Sequence, residues 1–139
     1  MNYIVLLPVF VLVALTFGLG VWMGGARFLA IRSRQVRVKD IALGQAAWPQ
    51  KITQIGQSYQ NQLELPVLFY ALVAMVLATH TQTFAFVFME WLFGVSRLAH
   101  AFTHVTSNNL RDRFLMFAAG ALILLAMWIW FFARVTFGI

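Results

Sequence analysis

The first charged side chain in the chain is Arg27, and everything from Tyr3 to Ala26 is uncharged. A bilayer-spanning helix needs about 20 apolar residues, so this run is read as a transmembrane helix. Nothing basic precedes it and the positive charges follow it, the reverse of a cleaved secretion signal, so it is expected to stay with the protein. Three further apolar stretches follow, and the predicted spans are about 3–30, 59–79, 84–105 and 114–137. Gly20 and Gly24 form a small-xxx-small pair on the first span, a pattern that permits close helix packing.

Composition agrees. Of 139 residues, 62% are hydrophobic and 10% charged, where soluble domains carry about 25% charge. A soluble globule has no way to cover such a core, and a disordered chain would not hold this much apolar surface. The reading is one all-α membrane domain, 1–139, built as a four-helix bundle. With no cysteine, disulfides and protein thiolate chemistry are excluded.

The net charge of +6 raises the question of nucleic acid. The basic residues, however, lie between the apolar runs, which points to topology. The first connection holds Arg27, Arg32, Arg34, Arg37, Lys39 and Lys51, with Asp40 as its acid, and Trp48-Pro49 interrupts any helix there. The third is flanked by Arg97, Arg111 and Arg113, while the turn at 79–83 has no Lys or Arg. The positive-inside rule then puts both basic connections in the cytoplasm and both termini on the other side. The expected partners are membrane lipids, with no nucleic acid; Arg27, Arg32, Lys39 and Lys51 suit lipid headgroups.

Charges inside spans are expensive and mark bundle interiors or wet cavities. In the third span Glu90, Arg97, His100, His104, Asn108 and Arg111 fall on one helical stripe, provided the helix continues that far. Gln57, Asn61 and Glu64 fall on one face at the start of the second. Two helices thus present polar faces at one depth, and with the first-connection arginines they predict a cation-rich cleft open to the cytoplasm. Arginines pair carboxylates in bidentate fashion, and Glu64 can accept from an ammonium. A small zwitterion with excess carboxylate fits; glutathione has that charge plan, as do other small anions. Glu64 with Arg97 also fits a plain ion pair between spans two and three. Glu90 is expected to be neutralised by Arg97 or by a proton. His100 and His104 stand at zinc spacing, but no HExxH accompanies them, and no metal is expected.

Asn61-Gln62-Leu63-Glu64-Leu65-Pro66-Val67-Leu68-Phe69-Tyr70 resembles the second-helix signature of the MAPEG family, the membrane-associated proteins in eicosanoid and glutathione metabolism. Trp91 to His100, with His104 and Asn108, resembles the third-helix signature of its bacterial branch. The resemblance implies a homotrimer with glutathione as co-substrate, bound between subunits near the cytoplasmic face of a bacterial inner membrane. It implies Asn61, Glu64, Arg97, His100 and His104 as glutathione contacts, together with an arginine ending the first helix, Arg34 or Arg37 (Arg32 being a third choice). The thiolate-stabilising arginine maps best onto Arg111, with Arg113 as the other choice. Gln57 stands where eukaryotic members usually carry an arginine, and His100 and His104 stand where some have tyrosine.

The implied chemistry is that of a glutathione-dependent transferase or peroxidase acting on lipophilic electrophiles or lipid hydroperoxides. A free thiol has a pKa near about 8.5, and a guanidinium beside the sulfur favours the anion. The alternative is a non-catalytic MAPEG-like protein that binds lipid or a partner through the same cleft. A small transporter comes third, because Glu90 alone is placed for a coupling carboxylate.

Overall fold

A computed structural model describes residues 2–42 and 48–138; the middle of the expected first connection, 43–47, lies outside the described residues. Those residues form six α-helices and no strand: α1 (Asn2–Arg32), α2 (Val38–Ile41), α3 (Gln50–Asn61), α4 (Leu65–Ala78), α5 (Phe84–Val105) and α6 (Leu110–Phe137). The protein is an all-α transmembrane bundle whose four members are α1, the α3–α4 pair, α5 and α6. Three members are long and apolar enough to cross a membrane by length and composition alone: Tyr3–Arg32, Gln50–Ala78 and Leu110–Phe137. The fourth, α5, has 22 residues, enough for about 30 Å of hydrocarbon. Its buried polar stripe sets its composition apart.

The outer faces are apolar. Phe10, Phe17, Val21 and Phe28 on α1, Phe88 and Phe102 on α5, and Leu122, Ile129 and Phe132 on α6 are all exposed. Such a surface suits lipid rather than water.

The pair α3–α4 corrects the reading of one continuous helix from Tyr59. The chain turns at Gln62-Leu63-Glu64. Pro66 explains the break. It has no N–H to give the Gln62 carbonyl, and its ring crowds that position. Instead Gln62 and Leu63 donate to the carbonyls of Tyr59 and Gln60, both at 2.9 Å. A new helix then starts with proline in its first turn, where the missing donor is harmless.

The helix α5 ends at Val105, so the polar stripe does not run helically to Arg111. Asn108 adopts a left-handed conformation (φ 51°) and its N–H closes on the Thr103 carbonyl at 2.8 Å. Asparagine tolerates that region better than most residues. Asn109 then caps α6, its side chain accepting from the Arg111 N–H at 3.0 Å.

The apolar core lies between α4, α5 and α6, with α1 closing it. Phe69 stacks on Phe93 at 4.8 Å between ring centres, Phe86 stacks on Trp130 at 5.3 Å, and Leu12, Leu72 and Met127 fill between. The helices α5 and α6 form the most extensive pairing, and Gly120 is why they approach closely. A Cβ there would sit 2.8 Å from Ser96 Oγ. Of the glycine pair on α1, Gly20 packs against the Tyr59 ring, while Gly24 faces open space.

Candidate functional site

At the end of the bundle that carries the α5–α6 turn, polar side chains from α3, α5 and α6 converge. Arg97, two turns from the end of α5, is fully buried. Its Nη2 donates to the Asn61 carbonyl at 3.2 Å and its guanidinium lies 6.0 Å from the centre of the Phe117 ring. Its Nε and Nη1 have no hydrogen-bond partner among the described residues. A buried cation held by one carbonyl and one ring is under-paired, and its chemistry calls for a carboxylate.

One turn on, His100 is buried, and its Nδ1 lies 3.0 Å from the Arg113 carbonyl. A carbonyl only accepts, so Nδ1 carries the proton and Nε2 is a bare acceptor. His104, a further turn on and fully buried, sits between two α3 side chains. Asn61 Nδ2 donates to the Gln57 carbonyl at 3.0 Å, which fixes which end of that amide is nitrogen. The same Nδ2 is 3.4 Å from His104 Nδ1, so that ring atom accepts, and Nε2 donates to Gln57 Oε1 at 3.4 Å. The proton arrangement follows: Asn61 has spent its side-chain N–H groups inside the chain, and its Oδ1 is the acceptor that remains.

Asn61, His100 and Arg113 line one cavity with Leu110, Phe114 and Phe117, of about 180 Å3. Arg113 Nη1 donates to Asn108 Oδ1 at 2.8 Å, which ties the cation to the turn. The residues that line the cavity thus include an amide and an imidazole, each with an acceptor atom not spent within the chain, and the Arg113 cation. A group that donates a hydrogen bond and carries negative charge is the chemical complement of that lining.

The structure brings Asn61, Arg97, His100, His104 and Arg113 together. It does not bring in the others within one chain. Glu64 has left the α3 face at the break and is exposed. Its electric field still reaches Arg97, but the two form no ion pair, which corrects the expected lock between spans two and three. Arg111 is exposed at the start of α6. Arg34 and Arg37 are exposed beyond α1 and line a separate cavity of about 370 Å3 with Ile31, Val36 and Val38. Arg37 forms the one ion pair among the described residues, with Asp40 at 3.8 Å. Glu90 is buried, with neither oxygen hydrogen-bonded; of the two expected ways of neutralising it, the pairing with Arg97 does not form. No group of three or more metal-ligating side chains occurs among the described residues.

Gln57, which the resemblance aligned with an arginine of eukaryotic members, here accepts from His104 Nε2 at 3.4 Å. Phe117 was missed; its place seven residues into α6 gave no periodic signal distinct from the apolar residues around it.

A helical bundle with an apolar outer surface and a cluster of arginine, histidine and amide side chains buried at one end defines an integral membrane protein of the all-α class. Within that class the match is specific: the MAPEG family model covers residues 5–133, and the chain belongs to the MAPEG family. Comparison with functionally described proteins and with solved structures gave no match.

Proposed function

We propose that the protein is a glutathione-dependent membrane transferase or peroxidase, acting on lipophilic electrophiles or lipid hydroperoxides. It works as a homotrimer in a bacterial cytoplasmic membrane, crossing it four times as a single domain, with both termini on the non-cytoplasmic side. The observation that carries this reading is the buried, under-paired guanidinium of Arg97 behind a cavity walled by Asn61, His100 and Arg113.

Three features support a site shared between subunits. Pockets for whole small ligands run to about 300–1,000 Å3, and the cavity of about 180 Å3 is smaller than that. Glu64 and Arg111 are exposed next to it in the sequence, where a neighbouring copy would cover them. Arg34 and Arg37 lie in another cavity of the same chain and reach glutathione from an adjacent subunit. Asn61, Glu64, Arg97, His100 and Arg113 hold the tripeptide, His104 supports Asn61 from behind rather than touching the ligand as the resemblance implied, and Arg111 stabilises the thiolate. Its electrophile arrives from the bilayer.

The test is glutathione-dependent thermal stabilisation of the detergent-purified protein. Stabilisation that disappears in Arg97→Ala and weakens in Glu64→Ala supports the site. An unshifted melting temperature in the unmodified protein at millimolar glutathione overturns it.

A second reading is a non-catalytic relative that binds lipid or a partner. It is favoured by the apolar groove of about 450 Å3 between α1 and α5, walled by Leu15, Trp22, Leu98 and Phe102. Arg111→Ala separates the two. Loss of thiolate absorbance and turnover marks the enzyme, and no change in either marks the binder.

A further inference from the structure

His100 has one nitrogen committed and one spare. Its Nδ1–H is spent on the Arg113 carbonyl at 3.0 Å, which locks both the ring plane and the tautomer. Its Nε2 is buried and has no hydrogen-bond partner among the described residues. The side chain is 3% exposed and lines the same cavity as Asn61 and Arg113. The other imidazole of the cluster differs: His104 has both ring nitrogens engaged by α3 side chains. One histidine is a strut, and the other keeps an uncommitted acceptor while its side chain lines a small recess with Phe114 and Phe117.

We propose that His100 Nε2 is the general base of the site, taking the proton of the ligand thiol; this rests on the glutathione reading above. The S–H bond breaks, an N–H bond forms on Nε2, and the electron pair stays on sulfur. Arginine charge from Arg113 in the cavity wall and Arg111 at the start of α6 then holds the anion. When sulfur bonds the carbon of an electrophile, the departing group leaves with its electron pair and takes the proton from the imidazolium. A thiolate paired with an imidazolium is an established way to activate sulfur near neutral pH.

The charged and titratable groups facing His100 are Arg97 and His104 on α5 and Arg113 on α6, and α3 contributes the neutral Asn61. These neighbours make a lone imidazolium costly. Proton transfer is therefore coupled to the appearance of the thiolate beside the ring and does not precede it. The Arg113 carbonyl, accepting from Nδ1–H, compensates part of the new charge, as the orienting partner does in hydrolase triads.

The experiment counts protons. The full chain in detergent is titrated with glutathione at neutral pH by calorimetry in two buffers of different ionisation enthalpy, with thiolate absorbance read in parallel. If His100 takes the proton, thiolate forms while the protein keeps that proton, so close to zero protons per bound ligand enter the buffer; without an internal base about one is released. One released proton per thiolate overturns the base and leaves the glutathione site standing, as does binding with no thiolate at all. Absence of glutathione binding overturns both.

His100→Gln gives the second arm. With glutathione at saturation, thiolate per bound ligand at neutral pH is expected down at least about tenfold and regained at alkaline pH. Unchanged thiolate overturns the base. If that variant does not fold, the proton count on the unmodified protein decides alone.

Discussion

The two halves of α5 bury polar groups on opposite terms. Around Phe86 and Phe93, Glu90 is enclosed by aromatic and aliphatic side chains with no hydrogen bond to either oxygen. Around Arg97, His100 and His104, each polar side chain is tied to a neighbour from α3 or α6, and the atoms left over are Arg97 Nε and Nη1 and His100 Nε2. The neighbouring member of the bundle divides at the same level. Polar α3 packs on the polar half of α5, and beyond the break at 62–64 apolar α4 packs against α1 and α6 and meets the other half of α5 through the Phe69–Phe93 stack. A polar residue inside a membrane bundle is a functional signal when its partners come from several helices, and a lone one carries less information.

The largest expected effect separates binding from folding in the polar half. Arg97→Met removes a buried cation that the chain itself pairs poorly, and exchange of buried charge for a matched apolar side chain is often neutral for stability. The variant should melt within a few degrees of the parent and yet lose about a hundredfold in glutathione affinity, roughly 2.8 kcal/mol. A variant that fails to fold would show that Arg97 is structural and that the two halves do not differ as described.

The second test falls on the seam between the halves. Gly120→Ala places a methyl group 2.8 Å from Ser96 Oγ, which is itself fixed on the Phe93 carbonyl at 2.6 Å. Over-packing of this kind costs about 1–3 kcal/mol. In a Ser96→Ala background the nearest remaining atom is Arg97 Cδ at 3.7 Å, and most of the loss should be recovered. Equal losses in both backgrounds, measured by thermal unfolding, would place the strain elsewhere.

Smaller again is Pro66→Ala. It restores the N–H that the Gln62 carbonyl lacks and lets α3 and α4 join. Joining them turns Asn61 relative to His104, and glutathione affinity should fall about five- to tenfold, near 1 kcal/mol. Unchanged affinity would mean that the break does not position the site.

Much of this was legible in the sequence, and the limits have a physical cause. Periodicity placed Arg97, His100 and His104 on one face because all three lie within an unbroken helix. The same rule failed for Glu64, which has the right spacing from Asn61 but lies beyond a proline-imposed turn, and for Arg111, which lies beyond the left-handed Asn108. Pro66 stood in the quoted motif, so the break had a visible signal. Pairings had none. A heptad between Glu90 and Arg97 sets a common face, but their separation of two turns along the axis, about 10 Å, is too long for an ion pair.

The smallest effect belongs to that lone acid. Glu90→Met replaces an unpartnered buried carboxyl with a flexible side chain of similar reach, in a wall already made of Phe86, Phe93 and Met127. A buried polar group without a hydrogen bond opposes folding, so the variant should gain up to about 1 kcal/mol, seen as a modest rise in melting temperature. Glutathione affinity should stay within about twofold, since no hydrogen bond or ion pair links Glu90 to the polar cluster. The sign matters more than the size. A drop in stability would mean that Glu90 has a favourable role in the apolar half that its two unbonded oxygens conceal. A tenfold loss of glutathione affinity would mean that the halves of α5 communicate, and proton-coupled flux abolished by the substitution would return the carboxyl to the transporter reading that the rest of the bundle disfavours.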